Sequence, residues 1–197
     1  MAFQTKIYQA EYPYHIYNRA NNKEFLFDLD LSFPIFMDTI KVISKRTDFR
    51  PHHFILMNNH YHLIGSTPQA NLYKFMQIFQ TTVSQAINNA TNRTNHIFGS
   101  RYGATIVMSE YHLTNVIRYL YQNPVRANIT NDPLRYPYSS LKYYLTSEWP
   151  HYGFYMDSYL ENLSERSRLK NLEELCKAKL IENEYLCIKK NLRKKFF

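Results

Sequence analysis

Phe54-Ile55-Leu56-Met57-Asn58-Asn59-His60-Tyr61-His62-Leu63-Ile64 is the stretch around which the chain is organised. Its β-branched and aromatic content predicts a strand. Side chains of a strand alternate between faces, so His60 and His62 share one face while Tyr61 and Leu63 take the other. Imidazole is the commonest side-chain metal ligand, and a strand fixes two rings at one spacing, so the pair forms a two-point metal clamp. His-x-His alone also describes a polar, solvent-facing edge, and the pattern by itself does not choose.

The flanking segments supply the rest of a small α+β domain. On the N-terminal side, Leu31 to Ile43 carries Phe33, Phe36, Met37, Ile40 and Ile43 at helical spacing. This predicts an amphipathic helix with Asp30 or Ser32 as N-cap and Pro34 in its first turn. Before it, Tyr14-His15-Ile16-Tyr17-Asn18-Arg19 alternates as a first strand and ends in the polar run Ala20-Asn21-Asn22-Lys23. On the C-terminal side, Gly65-Ser66-Thr67-Pro68 marks a turn. Asn71 to about Ala90 then reads as a helix with Leu72, Phe75, Met76, Phe79, Val83 and Ile87 on one face. Tyr102 to Met108 reads as another strand.

A third helix is expected from Glu110 to Asn123, because a residue before proline is pushed out of the helical region and Pro124 follows. Leu113, Val116, Ile117 and Leu120 form its buried stripe. Tyr119 and Asn123, four residues apart, lie on one polar shoulder of that stripe with His112 nearby, and Tyr121 falls on the opposite shoulder. The two tyrosines therefore cannot face the same site. From about Tyr159, leucines recur at helical spacing among Glu, Lys and Arg, and the chain closes on the basic run Lys189 to Phe197. The expected division is a domain over residues 1–150 and a helical, basic extension over 151–197.

Composition narrows the partners. The chain has 197 residues, and 24 Lys+Arg against 16 Asp+Glu gives a net charge of +8. That sign favours a polyanion, nucleic acid before a membrane surface. The 18 Tyr and 13 Phe include candidates for stacking on unpaired bases, although most such rings belong to cores. Two cysteines, Cys176 and Cys187, match neither a disulfide framework nor a zinc spacing, so a reducing, cytoplasmic setting is expected. No apolar run is long enough to span a membrane. Four glycines leave no phosphate-binding loop, and no nucleotide cofactor is expected.

Two elements now join: the strand with His60-Tyr61-His62, and the helix end Arg118-Tyr119-Leu120-Tyr121-Gln122-Asn123-Pro124-Val125-Arg126-Ala127. Together they resemble the single-tyrosine HUH transposases of the IS200/IS605 type, in particular the REP-associated tyrosine transposase branch. The opening Tyr14 to Arg19, Phe98-Gly99-Ser100-Arg101-Tyr102 and Tyr136-Pro137-Tyr138-Ser139-Ser140 agree with it in order. The resemblance runs over roughly residues 12 to 145, and several motifs in order are more specific than any one. Two positions depart from the pattern: Asn58, where proline is common, and Tyr61, where an aliphatic residue is usual.

The resemblance implies a ferredoxin-like antiparallel sheet with helices packed on it, often as a homodimer. It implies cleavage and rejoining of single-stranded DNA near hairpins, with Tyr119 as nucleophile and His60, His62 and Asn123 as ligands of Mg²⁺ or Mn²⁺. Tyrosine attack on a phosphodiester is a phosphoryl transfer governed by positioning and charge stabilisation, and it leaves a covalent 5′-phosphotyrosine. Asn18, Arg19, Lys23, Arg93, Arg101 and Arg126 are the expected nucleic-acid contacts. Two other readings compete. One is a non-catalytic or domesticated DNA- or RNA-binding regulator on the same fold. The other is a histidine metallohydrolase, which would want an acidic group near His60 and His62 that the sequence does not place there.

Overall fold

The computed structural model describes residues 8–193. Its elements are β1 (Tyr14–Arg19), α1 (Leu29–Thr47), β2 (Arg50–Met57), β3 (His60–Ser66), α2 (Leu72–Thr91), β4 (Gly103–Ile106), α3 (Glu110–Arg126), α4 (Leu141–Leu145), α5 (Ser158–Glu161), α6 (Glu165–Lys177) and α7 (Glu182–Arg193). The strands form one antiparallel sheet in the order β2-β3-β1-β4. The α+β class expected from the sequence is the class adopted: β-α-β-β-α-β with β3 inserted between β1 and β2, a split β-α-β plan. Among the described residues no helix is long and apolar enough to cross a membrane.

The two faces of the sheet differ in chemistry because the strands alternate. Ile16, Phe54, Tyr61 and Leu63 are buried on one side. There Phe36 of α1 meets Phe54 and Tyr61, and Phe79 of α2 meets Phe36 and Tyr61. His15, His53 and His62 project from the other side, where the tyrosines of α3 meet them. Tyr17 shares that face and packs its ring over Gly103 of β4, where a Cβ would come within 2.3 Å of it.

Several boundaries fall elsewhere than the sequence suggests. Phe54 to Ile64 is not one strand: it folds into a hairpin, with Met57 paired to His60 and Asn58-Asn59 between them. The aromatic run on both sides hides the break, and only the Asn-Asn pair, two turn formers, marks it. Helix α1 is capped by Asp28, which accepts from the amides of Asp30 and Leu31, not by Asp30 or Ser32. Pro34 accordingly falls in the second turn. Helix α3 continues through Pro124 to Arg126 instead of stopping at Asn123.

Beyond α3 the chain folds back on the domain. Residues 136–140 lie along the outer edge of β2: the Leu56 amide donates to Tyr138 O (2.9 Å), the Ser140 amide to Phe54 O (2.8 Å), and Tyr136 Oη to Leu56 O (2.7 Å). This backbone pairing covers an edge that would otherwise be open to other strands. Helices α5, α6 and α7 all pack against α3. The basic run begun at Lys189 continues into residues 194–197, outside the described residues.

A buried polar chain ties these layers together. Tyr121 of α3 hydrogen-bonds to His53 Nδ1 of β2 (2.8 Å) and to Ser140 Oγ (3.0 Å). His53 Nε2 bonds to Asp157, whose other oxygen accepts from the Leu160 amide and caps α5. Burial pushes the Asp157 carboxyl up, but the His53 hydrogen bond and the charges of His53 and His52 outweigh it and hold it below its ordinary value. Asp157→Ala should therefore cost about 2–4 kcal/mol, a lost cap added to an unsatisfied buried partner on His53. Urea denaturation should show this loss at pH 7. Because the folded carboxyl titrates lower than the unfolded one, the stabilisation is present above pH ~4 and is lost as the pH falls through the folded value. The wild-type and variant curves should converge there.

Candidate active site

The alternation of β3 sends His60 and His62 to the α3 face, their ring centroids 5.2 Å apart and nearly perpendicular. Tyr119 presents an edge-to-face contact to His62 at 5.5 Å and a second to His15 at 6.1 Å. Asn123, one turn on, lies against His60. The four residues named from two separate sequence elements therefore converge on one spot within one chain.

Pro124 is what aims Asn123. A helical proline has no N–H for the carbonyl four residues back, which here is Leu120 O. The Asn123 Nδ2 group takes that carbonyl at 3.1 Å and shares Tyr119 O at 2.8 Å. The helix thus continues past the proline with the orphaned acceptor satisfied, and Asn123 Oδ1 is left to face His60.

His60 is fixed in the same way from the other side. Asn59 Nδ2 donates to Lys23 O (3.2 Å), which turns Asn59 Oδ1 onto His60 Nδ1 (2.6 Å). An amide oxygen only accepts, so His60 carries its proton on Nδ1 and a lone pair on Nε2. His60 Nε2 and Asn123 Oδ1 are both acceptors, and a cation is the partner that suits two acceptors held together. Among the described residues no group of three or more His, Cys, Asp and Glu side chains is arranged to hold a metal ion. The residues that could hold one here are two imidazoles and an amide, His60, His62 and Asn123.

Burial keeps the imidazoles neutral, the form that ligates. It holds the His60 pKa down at about 4, aided by the Arg19 charge and opposed by the Asn123 oxygen, which would accept from the protonated ring. Burial, then the charges of His15, His60 and Arg19, holds His62 well below its ordinary value. Burial, with a smaller contribution from His112, holds His15 at about 3.

Tyr119 is not on an open polar shoulder. It is 6% exposed, because Tyr185 of α7 stacks on its ring at 5.4 Å. The cover is fastened by charge. Arg126 lies over the Tyr185 ring at 3.6 Å and pairs with Glu182 at 2.5 Å, and Arg118 pairs with Glu184 at 3.4 Å. Nothing in the sequence spacing marks Tyr185, which lies 66 positions beyond the ring it covers.

The expected nucleic-acid contacts divide. Arg19, Lys23 and Arg101 are exposed. Their segments border the site: Arg19 pairs with His60 in the sheet, Asn59 holds Lys23 O, and the Gly99 amide donates to Arg19 O. Arg93 lies 3.6 Å from Glu24. Asn18 is buried and serves the protein itself, donating to Ser100 O (3.0 Å) and accepting from the Arg19 amide (2.8 Å). Arg126 holds α7 down. His15 is a site residue that sequence reasoning missed: its place on the face of His62 follows from alternation, but its nearness to His62 depends on how β1 and β3 pair.

Comparison with known proteins places this geometry. No curated protein matches the chain in sequence. Among solved structures, a REP-associated tyrosine transposase bound to a REP hairpin superposes with a TM-score of 0.62 at 14% identity, covering 80% of this chain and 93% of that one. A transposase from Deinococcus radiodurans R1 matches with a TM-score of 0.41 at 14% identity, over 60% of this chain and 95% of that one. At these identities the first likeness speaks for the fold. The family model for IS200-like transposases matches residues 8–123, from the start of the described chain through Tyr119 to Asn123. The chain belongs to the IS200-like transposase family.

Proposed function

We propose that the protein cleaves and rejoins single-stranded DNA beside hairpins, with Tyr119 as nucleophile and a divalent cation, Mg²⁺ or Mn²⁺, held by His60, His62 and Asn123. The observation that carries this reading is the convergence of Tyr119 and Asn123 on the two histidines, each fixed by a separate structural cause. One chain supplies all four side chains.

The chemistry follows from the groups present. The cation, when bound, neutralises charge on the scissile phosphate. Tyr119 Oη attacks phosphorus and loses its proton to solvent, while the bond to the 3′ oxygen breaks and that oxygen takes up a proton from solvent. The products are a 5′-phosphotyrosine and a free 3′ hydroxyl. The ester bond is retained, so the reverse attack by a 3′ hydroxyl rejoins DNA without a nucleotide. Arg19, Lys23 and Arg101 are the exposed cations that would hold phosphates beside the site. Phe25, 81% exposed on the loop whose Phe27 amide donates to Asn58 O at the β2–β3 turn, offers a face on which an unpaired base can stack.

The covered Tyr119 is the observation on which a binding-only regulator would rest. Transesterification requires α7 to move, whereas binding through the exposed cations does not. Covalent trapping separates the two. Protein incubated with labelled hairpin-bearing single-stranded DNA and Mn²⁺ or Mg²⁺ should give a protease-sensitive shifted band on a denaturing gel. Tyr119→Phe and His60→Ala should lose it. DNA binding by the wild type without any adduct would establish the regulator instead.

Release of the cover should also be measurable. Partly exposed ion pairs contribute up to about 1 kcal/mol each. Glu182→Gln combined with Glu184→Gln should therefore raise the initial rate of adduct formation by up to about thirtyfold. An unchanged or lower rate in a folded double variant would mean that α7 does not gate Tyr119.

A further inference from the structure

We infer that His15, a strand residue outside the ligand set, is the positioning residue that makes His62 competent to bind the cation. The inference rests on the metal reading proposed above. His15 Nε2 lies 2.9 Å from His62 Nδ1, and the rings stack at 5.0 Å and 20°. Both side chains are buried, at 1% and 5% exposure, so no water competes for this bond. The contact crosses two strands. His62 pairs directly with Tyr17, and His15 is its diagonal neighbour on the same face of β1.

The geometry dictates which proton must be where. A ligating imidazole needs a lone pair on the nitrogen that meets the metal, and its other nitrogen usually donates to a fixed acceptor. For His60 that acceptor is Asn59 Oδ1 at 2.6 Å. His62 has no amide or carboxylate in the equivalent place; it has His15. For His62 to offer Nε2, its Nδ1–H must donate to a bare His15 Nε2, and His15 must carry its own proton on Nδ1. That Nδ1 is buried without a hydrogen-bond partner. An unpaired buried polar atom is unusual in a folded protein and calls for a compensating role. Orienting His62 is that role. A phenylalanine of nearly the same size would fill the space without the unpaired nitrogen.

Tyr17 and Tyr119 hold His15 in place. Tyr17 stacks on it at 5.6 Å and 21°, and Tyr119 meets it edge-on at 6.1 Å. His15 therefore touches both the proposed ligand and the proposed nucleophile while donating nothing to the metal. A ring shift at His15 would move His62 and Tyr119 together.

The test is Mn²⁺ affinity of the full chain, read from the free-ion EPR signal without DNA, for the wild type, His60→Ala, His62→Ala, His15→Phe and His15→Gln, with thermal melts as a folding check. His15→Phe should weaken Mn²⁺ binding by about 10–100-fold, and His15→Gln, which restores an acceptor, should recover part of that loss. No Mn²⁺ binding by the wild type, or binding by both alanine variants equal to that of the wild type, would overturn the metal reading and this inference with it. Folded His15→Phe that binds within twofold of wild type would overturn the role of His15 alone. Should both His15 variants unfold, the wild type decides by nitrogen-15 NMR of its histidines with Zn²⁺ as a diamagnetic probe. His62 protonated on Nδ1 and bound through Nε2, with His15 bare at Nε2, supports the inference; His15 protonated at Nε2 overturns it.

Discussion

Alternation along β1, β3 and the His53–Met57 part of β2 is the constraint on which this molecule depends. It sends Ile16, Phe54, Tyr61 and Leu63 to one face and His15, Tyr17, His53, His60 and His62 to the other. The first face assembles itself from apolar burial against α1 and α2. The second cannot, because a buried imidazole without a partner is costly. It must be covered by an element that brings polar partners in register, and α3 does so from two edges. Tyr121 supplies a hydroxyl to His53, and Asn123 brings an amide up against His60. A helix that could not satisfy these rings would leave the face wet and the sheet half-packed. The polar face thus selects its own cover, and the cover brings Tyr119.

The C-terminal extension is bound into the same logic. His53 has two nitrogens, and α3 satisfies one. Asp157, at the start of α5, satisfies the other. The chain after α3 is therefore tied to the sheet through a buried carboxylate, and α6 and α7 follow along α3. Breaking that pair would loosen the layer that carries Tyr119 from the side opposite the site. The covering of Tyr119 by Tyr185 is different in kind, since its ion pairs are partly exposed and individually weak. One attachment is a buried pair and the other rests on partly exposed ones.

Much of this was readable from residues. The first strand falls at Tyr14–Arg19 as expected, because period-two alternation ending in a polar run is unambiguous. The helical wheel separated Tyr119 from Tyr121, and the two do face different partners, His62 and His53. The departure at Tyr61 is explained by its face: the ring packs among Phe36, Phe54 and Phe79, and its hydroxyl accepts from Gln80 at 3.2 Å. What sequence could not give depends on pairing between distant segments. The wheel called the Tyr119 shoulder polar because it knew nothing of α7. Proline rules ended α3 at Asn123 because propensity does not foresee a side chain satisfying the carbonyl that the proline abandons. The hairpin at Asn58-Asn59 was masked by hydrophobic residues on both sides, since buried strands lose the polar punctuation that marks exposed ones.

The two histidines are held by different means, and the difference has a consequence. His60 is bracketed by Asn59 and Asn123, and both amides work alike. Each spends its NH₂ on backbone carbonyls, Lys23 O for one and Tyr119 O and Leu120 O for the other, and so has its oxygen turned onto the ring. An amide oxygen cannot donate, so the 2.6 Å contact of Asn59 Oδ1 places the His60 proton on Nδ1. His62 rests on another imidazole, which can give or take a proton, so its tautomer is set only as firmly as that of His15. The rigid half of the site lies at the hairpin and the adjustable half lies against Tyr119. For the reaction proposed above, which both breaks and remakes one bond, adjustability belongs beside the proposed nucleophile, where the charge on oxygen differs between the two directions, and fixity belongs at the residues proposed to hold the cation.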